Sequence, residues 1–594
     1  MKRLPSALLL LSALVSCTTT EGGKPSDPVN ELSAVRIQSI ESMITGDKLS
    51  EAYQDISFLE RNPKTEVPAA ELERLKSEVL DRLLFLFQNS IDEENFSAAY
   101  QYYCSLSGID RQELAPEWSS GKLLYRLARS SYEEGDKPLA LVYARRALAQ
   151  GDGSESLLRF LLDLARELDN ATMYKVALER LRQEGFEVPA DSPESLDIPT
   201  VQKMVKGTVT IWVNRGIRLE GGMGYPDRVI GSGFFIDKRG YLLTNYHVVA
   251  SEVDPEYEGY SRLYIRLSEN VEEKIPAKVI GYDRIFDLAL VKAEVEPEYV
   301  FSYGGSAGLD VGGKIIAIGS PAGLENTVTS GIVSATGRRF LQMGDAIQVD
   351  VPINYGNSGG PLLDTAGKLV GIVFAGIEQF EGVNFAIPFD WVEKALPRLY
   401  KTEEAHYPWL GIALQEGRSG LEVIYTVPGS PAARAGIREG DILRSLNGEL
   451  YSKIGDLQSA LLDLEYPCLV TLDWERAGRT ISGALSLAER PFSPIEVALE
   501  KDLRENVLFP LFGMKIEKTG QFLWRTNYVV KKVLPGSIAD ETGLSKDDPL
   551  SIQGWKVDEE NRYVLLQIYV KKRKSGFLES VVQMAAYLET DYFI

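Results

Sequence analysis

The sequence is poor in the residues that usually hold metals and form disulfide bonds. Its 594 residues include only three cysteines and two histidines. Three cysteines cannot form a disulfide framework, and two histidines argue against a His-rich metal site. We therefore expect neither a metal nor another cofactor. Any imidazole that acts as a base must belong to His247 or His406, and His406 is expected to be a solvated loop residue.

The chain also has fewer positive than negative side chains, which gives a formal net charge of -21. An acidic chain repels phosphate, so no nucleic-acid partner is expected. Hydrophobic residues make up 44% and charged residues 25% of the chain, which is ordinary for globular proteins. At roughly 100–200 residues per domain, a chain of this length predicts several domains.

Long apolar runs are missing as well. The apolar stretch near the start follows Lys2 and Arg3, and it is shorter than the ~20 residues that span a bilayer. A positive start followed by a short apolar segment is typical of a secretory signal peptide, which we place at residues 1–16.

The end of this stretch resembles the bacterial lipobox, because it reads Leu14-Val15-Ser16-Cys17. The resemblance implies a lipoprotein acylated at Cys17; an ordinary signal peptide with a chance cysteine is the alternative. Acyl chains would hold the protein on a lipid membrane, since each buried CH₂ contributes about 0.8 kcal/mol. The polar residues 17–30 predict a flexible tether. This interpretation implies a lipid-anchored, periplasm-facing protein of the bacterial cell envelope, and Thr18 favours the outer membrane over the inner one.

Residues 31–198 predict helices, because apolar residues recur every three or four positions and Gly and Pro are few. Small residues such as Ala128 and Ala140 flank a turn at Gly135-Asp136, so two helices can approach closely there. The pattern resembles an irregular tetratricopeptide repeat (TPR), which would offer a surface to partner peptides. A plain helical bundle that acts as a spacer is the alternative.

After Pro199, short alternating runs separated by glycine turns predict β-strands. The segment Gly231–Ile236 predicts one strand, and a second strand follows the turn at residues 237–240. His247 lies just past that second strand, where an imidazole can stand at the rim of a barrel beside a cleft. For a lone histidine the alternative is a buried core residue.

Two aspartates compete for the next position. Asp287 directly precedes the apolar run Leu-Ala-Leu-Val, and Asp283 lies four residues earlier. A carboxylate here can accept the Nδ1–H of His247 and stabilise the imidazolium that forms during proton transfer. We favour Asp287 because it opens the strand; an aspartate that only caps the strand is the alternative.

A glycine-rich turn, Gly356-Asn357-Ser358-Gly359-Gly360, completes the set. Flanking glycines allow a tight turn that exposes the Ser358 hydroxyl. They also allow the N–H groups of Gly356 and Ser358, on either side of Asn357, to converge as an oxyanion hole. The three segments together predict a catalytic triad of His247, Asp287 and Ser358.

The order His, Asp, Ser along the chain matches the chymotrypsin arrangement. Over residues 199–490 the chain resembles the HtrA (DegP/DegS) family of bacterial trypsin-like serine proteases, also through Thr327–Ser334 and Val383–Pro388. Tyr355 departs from the family, which often has proline there. The resemblance implies a double β-barrel protease at residues 199–400, polypeptide substrates cleaved through an acyl-enzyme, and a homotrimer.

The specificity wall of the protease is expected in two neighbouring segments. They contain no fixed charge beside the Phe-Ala-Ile run, which predicts small or medium apolar P1 residues. The residues expected to bind substrate are Phe374, Ala375, Gly376, Val383 and Phe385.

Residues 407–490 resemble the PDZ domain that follows HtrA proteases. The resemblance implies that the amides of Leu410, Gly411 and Ile412 hold the carboxylate of a C-terminal peptide, which adds as a strand to the sheet edge. Residues 494–594 repeat the PDZ motifs at a constant offset and predict a degenerate second PDZ-like domain. The sequence leaves open whether this second copy binds peptides.

The predicted fold class is multidomain: an all-α, TPR-like region of helical hairpins, a chymotrypsin-like double β-barrel protease and two PDZ-like α/β domains. The predicted function is a membrane-anchored serine endoprotease for misfolded or regulatory proteins, with peptide recognition by PDZ. The alternative is a chaperone or scaffold lipoprotein that uses its TPR-like and PDZ modules with little proteolysis. The complete triad counts against this alternative.

Overall fold

The computed structural model describes residues 28–62, 67–109, 117–168, 170–189, 199–306, 308–320, 327–339, 341–352, 356–376, 383–522, 525–558, 561–572 and 578–594. The predicted signal peptide, Cys17 and most of the tether lie outside these residues. Within the described ranges, no helix is both long enough and apolar enough to cross a membrane.

Helices occupy the first part of the described chain. Their bounds are α1 Pro28–Thr45, α2 Leu49–Arg61, α3 Ala69–Asp92, α4 Phe96–Ile109, α5 Ser120–Glu133, α6 Lys137–Ala149, α7 Glu155–Glu167 and α8 Ala171–Gln183. Consecutive helices pack in pairs, α3 with α4, α5 with α6 and α7 with α8. Gly135 connects α5 to α6 at a φ of 86°, which glycine adopts without strain. The predicted helical region is therefore present, while its TPR assignment stays a prediction.

Two closed antiparallel barrels follow the short helix α9 (Val201–Val205). The first contains β1 Thr208–Glu220, β2 Met223–Phe235, β3 Tyr241–Thr244, α10 Tyr246–Val253, β4 Arg262–Leu267, β5 Asn270–Asp283 and β6 Leu288–Ala293. The second contains β7 Lys314–Gly319, β8 Thr327–Arg338, β9 Ala346–Val349, β10 Pro361–Asp364, β11 Leu369–Gly376 and β12 Asn384–Pro388, and it is followed by α11 Phe389–Lys401. Alternate residues of β1 (Val209, Ile211 and Val213) are fully buried inside the first barrel, as a period of two requires.

Two further sheets complete the described chain. The first unit contains β13 Pro408–Trp409, β14 Ile412–Gly417, β15 Gly420–Thr426, α12 Pro431–Arg434, β16 Ile442–Leu446, β17 Glu449–Leu450, α13 Ile454–Leu462, β18 Leu469–Arg476, β19 Arg479–Ser486 and β20 Ala488–Glu489. The second contains α14 Pro494–Lys501, α15 Arg504–Phe512, β21 Met514–Phe522, β22 Arg525–Val533, α16 Ile538–Glu541, β23 Pro549–Asp558, β24 Tyr563–Lys572 and β25 Leu578–Tyr587. We call them the first and second PDZ units. The order of helical region, double barrel and PDZ units confirms the coarse prediction from the sequence.

The second PDZ unit reproduces the backbone of the first at its loops. Gly411 and Gly513 both have positive φ, 82° and 74°, and an added Cβ at either would overlap the Cβ of a serine. Asp547 takes the left-handed conformation (φ 70°) that Gly440 has in the first unit (φ 85°). One element differs: the described residues between β23 and β24 form no helix, whereas α13 precedes β18 in the first unit.

The helical region packs directly on the first PDZ unit. The buried Gln54 side chain donates to the Pro431 carbonyl at 2.8 Å and accepts from the Ser486 N–H at 3.0 Å. The Arg61 guanidinium donates to the Ala435 carbonyl at 3.1 Å and lies 5.4 Å from the centre of the Trp474 ring. One hydrophobic cluster runs through the helices, the second barrel and this sheet.

The two described cysteines, Cys104 on α4 and Cys468 next to β18, are free and buried. Burial raises the pKa of the Cys104 thiol to about 12, and it also raises the pKa of Cys468. Both thiols therefore stay protonated at neutral pH, which makes them poor nucleophiles.

Candidate active site

His247 and Asp287 meet at one rim of the first barrel. His247 lies in the first turn of α10, after β3, and Asp287 stands between β5 and β6. The Nδ1 atom of His247 is 2.7 Å from one carboxylate oxygen of Asp287, and the backbone N–H of His247 donates to the other at 2.8 Å. Both carboxylate oxygens therefore hold His247, which fixes the orientation of the ring.

The backbone of Asp287 is itself unusual. Its φ is 53°, in the left-handed region that residues other than glycine seldom occupy. The side-chain amide of Asn245 donates to the Asp287 carbonyl at 2.8 Å. Since Asn245 immediately precedes α10, the segment that carries His247 also holds the main chain of Asp287.

The pKa of His247 lies above its ordinary value. The surrounding protein removes water from the imidazole, which lowers the pKa, although 47% of the side chain remains exposed. The charge of Asp287 and its hydrogen bond favour the imidazolium and outweigh this desolvation. An imidazole arranged in this way can accept a proton and hold it.

The competing aspartate, Asp283, makes different contacts. It is fully buried, and one carboxylate oxygen accepts from the N–H groups of Ile285 at 2.9 Å and Phe286 at 3.0 Å. The Tyr407 hydroxyl donates to the other oxygen. Burial raises the pKa of Asp283 to about 6, against the opposing effect of these hydrogen bonds. The structure thus brings Asp287 to His247, while Asp283 shapes the turn before it and joins that turn to the start of the first PDZ unit.

Ser358 lies in the loop before β10, on the second barrel. Its hydroxyl donates to the Phe374 carbonyl at 3.4 Å. Within the described part of the chain, no hydrogen bond joins the Ser358 hydroxyl to His247. The structure therefore brings His247 and Asp287 into contact, whereas the Ser358 hydroxyl is bonded to a main-chain carbonyl, and the triad of all three residues stays a prediction.

The glycines around Ser358 have conformations that suit an anion-binding turn. Gly356 has a φ of 104° and Gly359 a φ of 85°. An added Cβ at Gly359 would overlap the Ser232 carbonyl and the Thr244 hydroxyl. Among the described residues, the N–H groups of Gly356 and Ser358 have no hydrogen-bond acceptor, so both are available to an oxyanion. The intervening Asn357 is buried, and its side chain donates to the Pro352 carbonyl at 3.4 Å.

A residue that the sequence interpretation missed, Ser232 on β2, supports this loop. Its hydroxyl donates to the Gly356 carbonyl at 2.6 Å and accepts from the Ser320 N–H at 2.9 Å. Its backbone N–H donates to the Ser358 carbonyl at 2.8 Å. Ser232 is thus a positioning residue that ties β2 of the first barrel to both ends of the Gly356–Ser358 turn. In the sequence, the position of Ser232 in a Gly-Ser-Gly motif was the signal that could have identified it.

Replacing Ser232 with Ala should lower kcat/KM for a peptide substrate about 10- to 100-fold, because the Gly356 carbonyl loses its donor and the turn can rotate. A positioning role predicts that kcat falls more than KM rises. Ser251→Ala is the matched control, since the Ser251 hydroxyl is bonded to the Ser261 hydroxyl at 3.1 Å, away from this loop. Equal kinetics of the Ser232 and Ser251 variants would contradict the role.

The predicted substrate-binding residues lie along the β11–β12 pair. Ala375 is paired with Phe385 and Gly376 with Asn384 in the antiparallel register, and Val383 immediately precedes β12. The rings of Phe374 and Phe385 lie 6.5 Å apart at 45°. Because the Ser358 hydroxyl contacts the Phe374 carbonyl, this strand pair borders the serine.

The predicted carboxylate-binding residues of the first PDZ unit are engaged within the chain. The N–H groups of Gly411 and Ile412 donate to the Ile594 oxygen at 2.8 and 3.0 Å. Leu410 is buried, and its carbonyl accepts from the Ala432 N–H at 3.0 Å. The half-exposed His406 pairs with Glu489 at 2.7 Å. No group of three His, Cys, Asp or Glu side chains in the described ranges could hold a metal ion.

Profiles of known families match four segments of the chain. A trypsin-like peptidase domain matches residues 231–372, a PDZ domain matches residues 422–471, and a TP0546 family PDZ domain matches residues 495–588. A domain of unknown function matches residues 31–123.

Three curated relatives carry the name probable periplasmic serine endoprotease DegP-like. The protein from Marinomonas sp. (strain MWYL1) is 32% identical over 345 residues, which cover 55% of this chain and 71% of the relative. The protein from Hahella chejuensis is 41% identical over 37% of this chain and 48% of the relative. The protein from Chlamydia trachomatis is 33% identical over 46% of this chain and 57% of the relative. Except for the first, the chain therefore spans about half of these relatives' length.

Among solved structures, an HtrA-type protease AlgW with decapeptide is similar at 25% sequence identity and a TM-score of 0.43. The match covers 49% of this chain and 98% of that protein.

Proposed function

This chain belongs to the HtrA family of trypsin-like serine endoproteases with PDZ domains, and we propose that it cleaves polypeptides with His247, Asp287 and Ser358 as its triad. The family resemblance and the serine-endopeptidase class predicted from the sequence are thereby confirmed. The single observation that carries the proposed triad is the 2.7 Å contact between His247 and Asp287 beside the glycine-flanked Ser358.

In the proposed mechanism, Ser358 Oγ attacks the scissile carbonyl while His247 Nε2 accepts the hydroxyl proton. Asp287 stabilises the resulting imidazolium through Nδ1. The tetrahedral oxyanion accepts hydrogen bonds from the N–H groups of Gly356 and Ser358. His247 then gives its proton to the leaving amine, and a water molecule, deprotonated by His247, hydrolyses the acyl-enzyme.

The contact of Ser358 with the Phe374 carbonyl describes a resting arrangement. Attack requires the hydroxyl to exchange this acceptor for His247 Nε2. A substrate backbone that pairs with β11 would compete for the Phe374 carbonyl, so substrate binding itself would favour the exchange. The buried Phe374 and Phe385 rings belong to the specificity wall beside the serine, which supports small or medium apolar P1 residues.

The wider setting belongs to the same proposal. The relatives are named periplasmic, which supports a periplasm-facing protein, and the lipobox-like segment supports an anchor at Cys17, in the outer membrane. The family resemblance supports a homotrimer and peptide recognition at the first PDZ unit. Misfolded or regulatory proteins are the proposed substrates, and the TPR-like helices are the proposed support for that PDZ unit.

Labelling with a fluorophosphonate probe tests the proposed nucleophile. We expect covalent labelling of Ser358 that becomes slower when excess unfolded casein is present, because substrate and probe compete for the same serine. The labelled residue is identified by peptide mass spectrometry. Absence of labelling in the protein without casein, or labelling of another serine alone, would contradict the proposal.

A further inference from the structure

The peptide groove of the first PDZ unit is occupied by the chain itself. The segment Tyr592–Ile594, which we call the tail, lies antiparallel to β14, with Phe593 paired to Ala413. A peptide bound by strand addition would make the same backbone contacts. These contacts are Ile594 N–H to the Ile412 carbonyl at 2.8 Å, Ile412 and Gly411 N–H to the Ile594 oxygen at 3.0 and 2.8 Å, and Leu414 N–H to the Tyr592 carbonyl at 3.0 Å.

The last two side chains of the tail are buried as deeply as core residues. Ile594 is 1% exposed and belongs to the hydrophobic cluster that the first PDZ unit shares with the helices and the barrels, whereas Phe593 is fully buried in the cluster of the second PDZ unit. The Phe593 ring lies 6.1 Å from that of Tyr425 on β15. The Tyr592 hydroxyl donates to the Pro510 carbonyl at 2.8 Å. The tail therefore joins the two PDZ units through apolar contacts as well as through the added strand.

Polar contacts connect the base of the tail to the catalytic barrels. The Gln458 side chain on α13 donates to the Asp591 carbonyl at 2.6 Å and accepts from the Gly344 N–H at 3.0 Å. Arg339 pairs with Asp591 at 3.1 Å and with Glu416 on β14 at 2.8 Å. Arg339 and Gly344 both belong to the connection between β8 and β9.

We propose that residues 592–594 are an intramolecular ligand of the first PDZ groove, and that a foreign peptide binds there only by displacing them. This inference rests on the peptide-binding role proposed for that groove. The tail also indicates the chemistry of the competitor: a peptide with an aliphatic residue in the place of Ile594 and an aromatic residue before it. Displacement separates Asp591 from Arg339 and Gln458, so the connection between β8 and β9 loses contacts when a peptide enters.

Tethering makes the tail a strong competitor. A segment held by a short connection has an effective concentration in the millimolar range. The apparent affinity for a free peptide falls by the fraction of molecules whose groove is open. Removing the tail from the groove should therefore strengthen peptide binding without adding any contact.

Amide hydrogen exchange in the resting protein tests the occupancy directly. The Ile594 N–H should exchange at least 100-fold more slowly than an unprotected amide, because it donates to the Ile412 carbonyl. Excess synthetic octapeptide Tyr-Leu-Glu-Thr-Asp-Tyr-Phe-Ile should accelerate this exchange. The Ile412 N–H should stay protected, since the peptide replaces its acceptor. Unprotected exchange of Ile594 without peptide would overturn the proposal.

Binding of the same octapeptide, carrying a fluorophore, tests the competition. All proteins carry Ser358→Ala so that cleavage plays no part. We expect the Ile594→Asp protein to bind the octapeptide at least tenfold more tightly than the protein with the unsubstituted tail. The control protein Tyr587→Ala, changed at a side chain that is 74% exposed on β25, should bind the octapeptide with the same affinity as the protein with the unsubstituted tail. Equal affinity of all three proteins would overturn the proposal.

The two assays separate this inference from the function it rests on. A folded Ile594→Asp protein that binds no peptide would overturn the recognition role of the groove. Whether the tail occupies the groove is decided by the exchange rate of the Ile594 N–H, and that measurement needs no substitution in the tail.

Discussion

Replacing Ser358 with Ala is expected to lower casein cleavage by roughly 10⁴-fold or more, because the substitution removes the attacking oxygen. Binding and the N–H groups of the oxyanion turn remain and account for the residual rate. The fold should be retained, since the bond of the hydroxyl to the Phe374 carbonyl is long, at 3.4 Å. Cleavage is measured by release of fluorescent peptides from labelled casein.

The control for this variant is Ser482→Ala, at an exposed serine on β19. A parallel assay of aggregation suppression addresses the chaperone alternative. If Ser358→Ala loses cleavage and keeps suppression, the protein has two separable activities. If both activities are lost, proteolysis accounts for them. Casein cleavage at the unsubstituted rate would exclude Ser358 as the nucleophile.

Replacing Asp287 with Asn should lower kcat/KM by about 10⁴-fold. The Asn oxygen can still accept the His247 backbone N–H, but its amide group then faces Nδ1 and donates to it. This places the ring proton on Nε2, so the imidazole cannot accept the Ser358 proton. Asparagine also tolerates the left-handed backbone of this position better than most residues. Asp310→Asn, at an exposed residue before β7, is the control.

The pH dependence of kcat/KM should shift in a definite direction in the same variant. Cleavage needs neutral His247, whose pKa lies above its ordinary value because Asp287 favours the charged ring. In the unsubstituted protein, kcat/KM should therefore fall as the pH drops through a pKa above about 6.5. Asparagine removes the charge and leaves the desolvation, which lowers the pKa. The acidic limb of the profile should move to lower pH, and an unchanged limb would show that another group controls it.

The three segments of the candidate site could be located from the sequence because each combines a reactive residue with a strand or a glycine turn. Spacing could only rank Asp287 above Asp283. What separates them in the structure is the environment: Asp283 is enclosed by its own turn and by Tyr407, more than a hundred residues away in sequence. The acceptor of the Ser358 hydroxyl could not be predicted from the sequence either, because it depends on how close β11 comes to the serine loop.

The PDZ units show the same limit. The repeated glycines predicted a second copy, and Gly513 and Asp547 have the backbone conformations of their counterparts. Nothing in the repeat indicated that the segment after β25 would enter the groove of the first copy. Such a contact depends on the relative placement of two sheets, which local patterns do not encode. The helices were predicted from their periodicity, but their docking on the first PDZ unit was not.

The docking of the helices bears on how this enzyme should be produced for study. A truncated fragment that begins at Pro199 would expose the face of β18 and β19, with Trp474, that Gln54 and Arg61 of α2 now cover. Exposed apolar patches of this kind promote self-association. Rates of proteolysis and peptide-binding constants measured on such a fragment would describe a protein with an altered first PDZ unit. The helical segment therefore belongs in any preparation used for biochemistry.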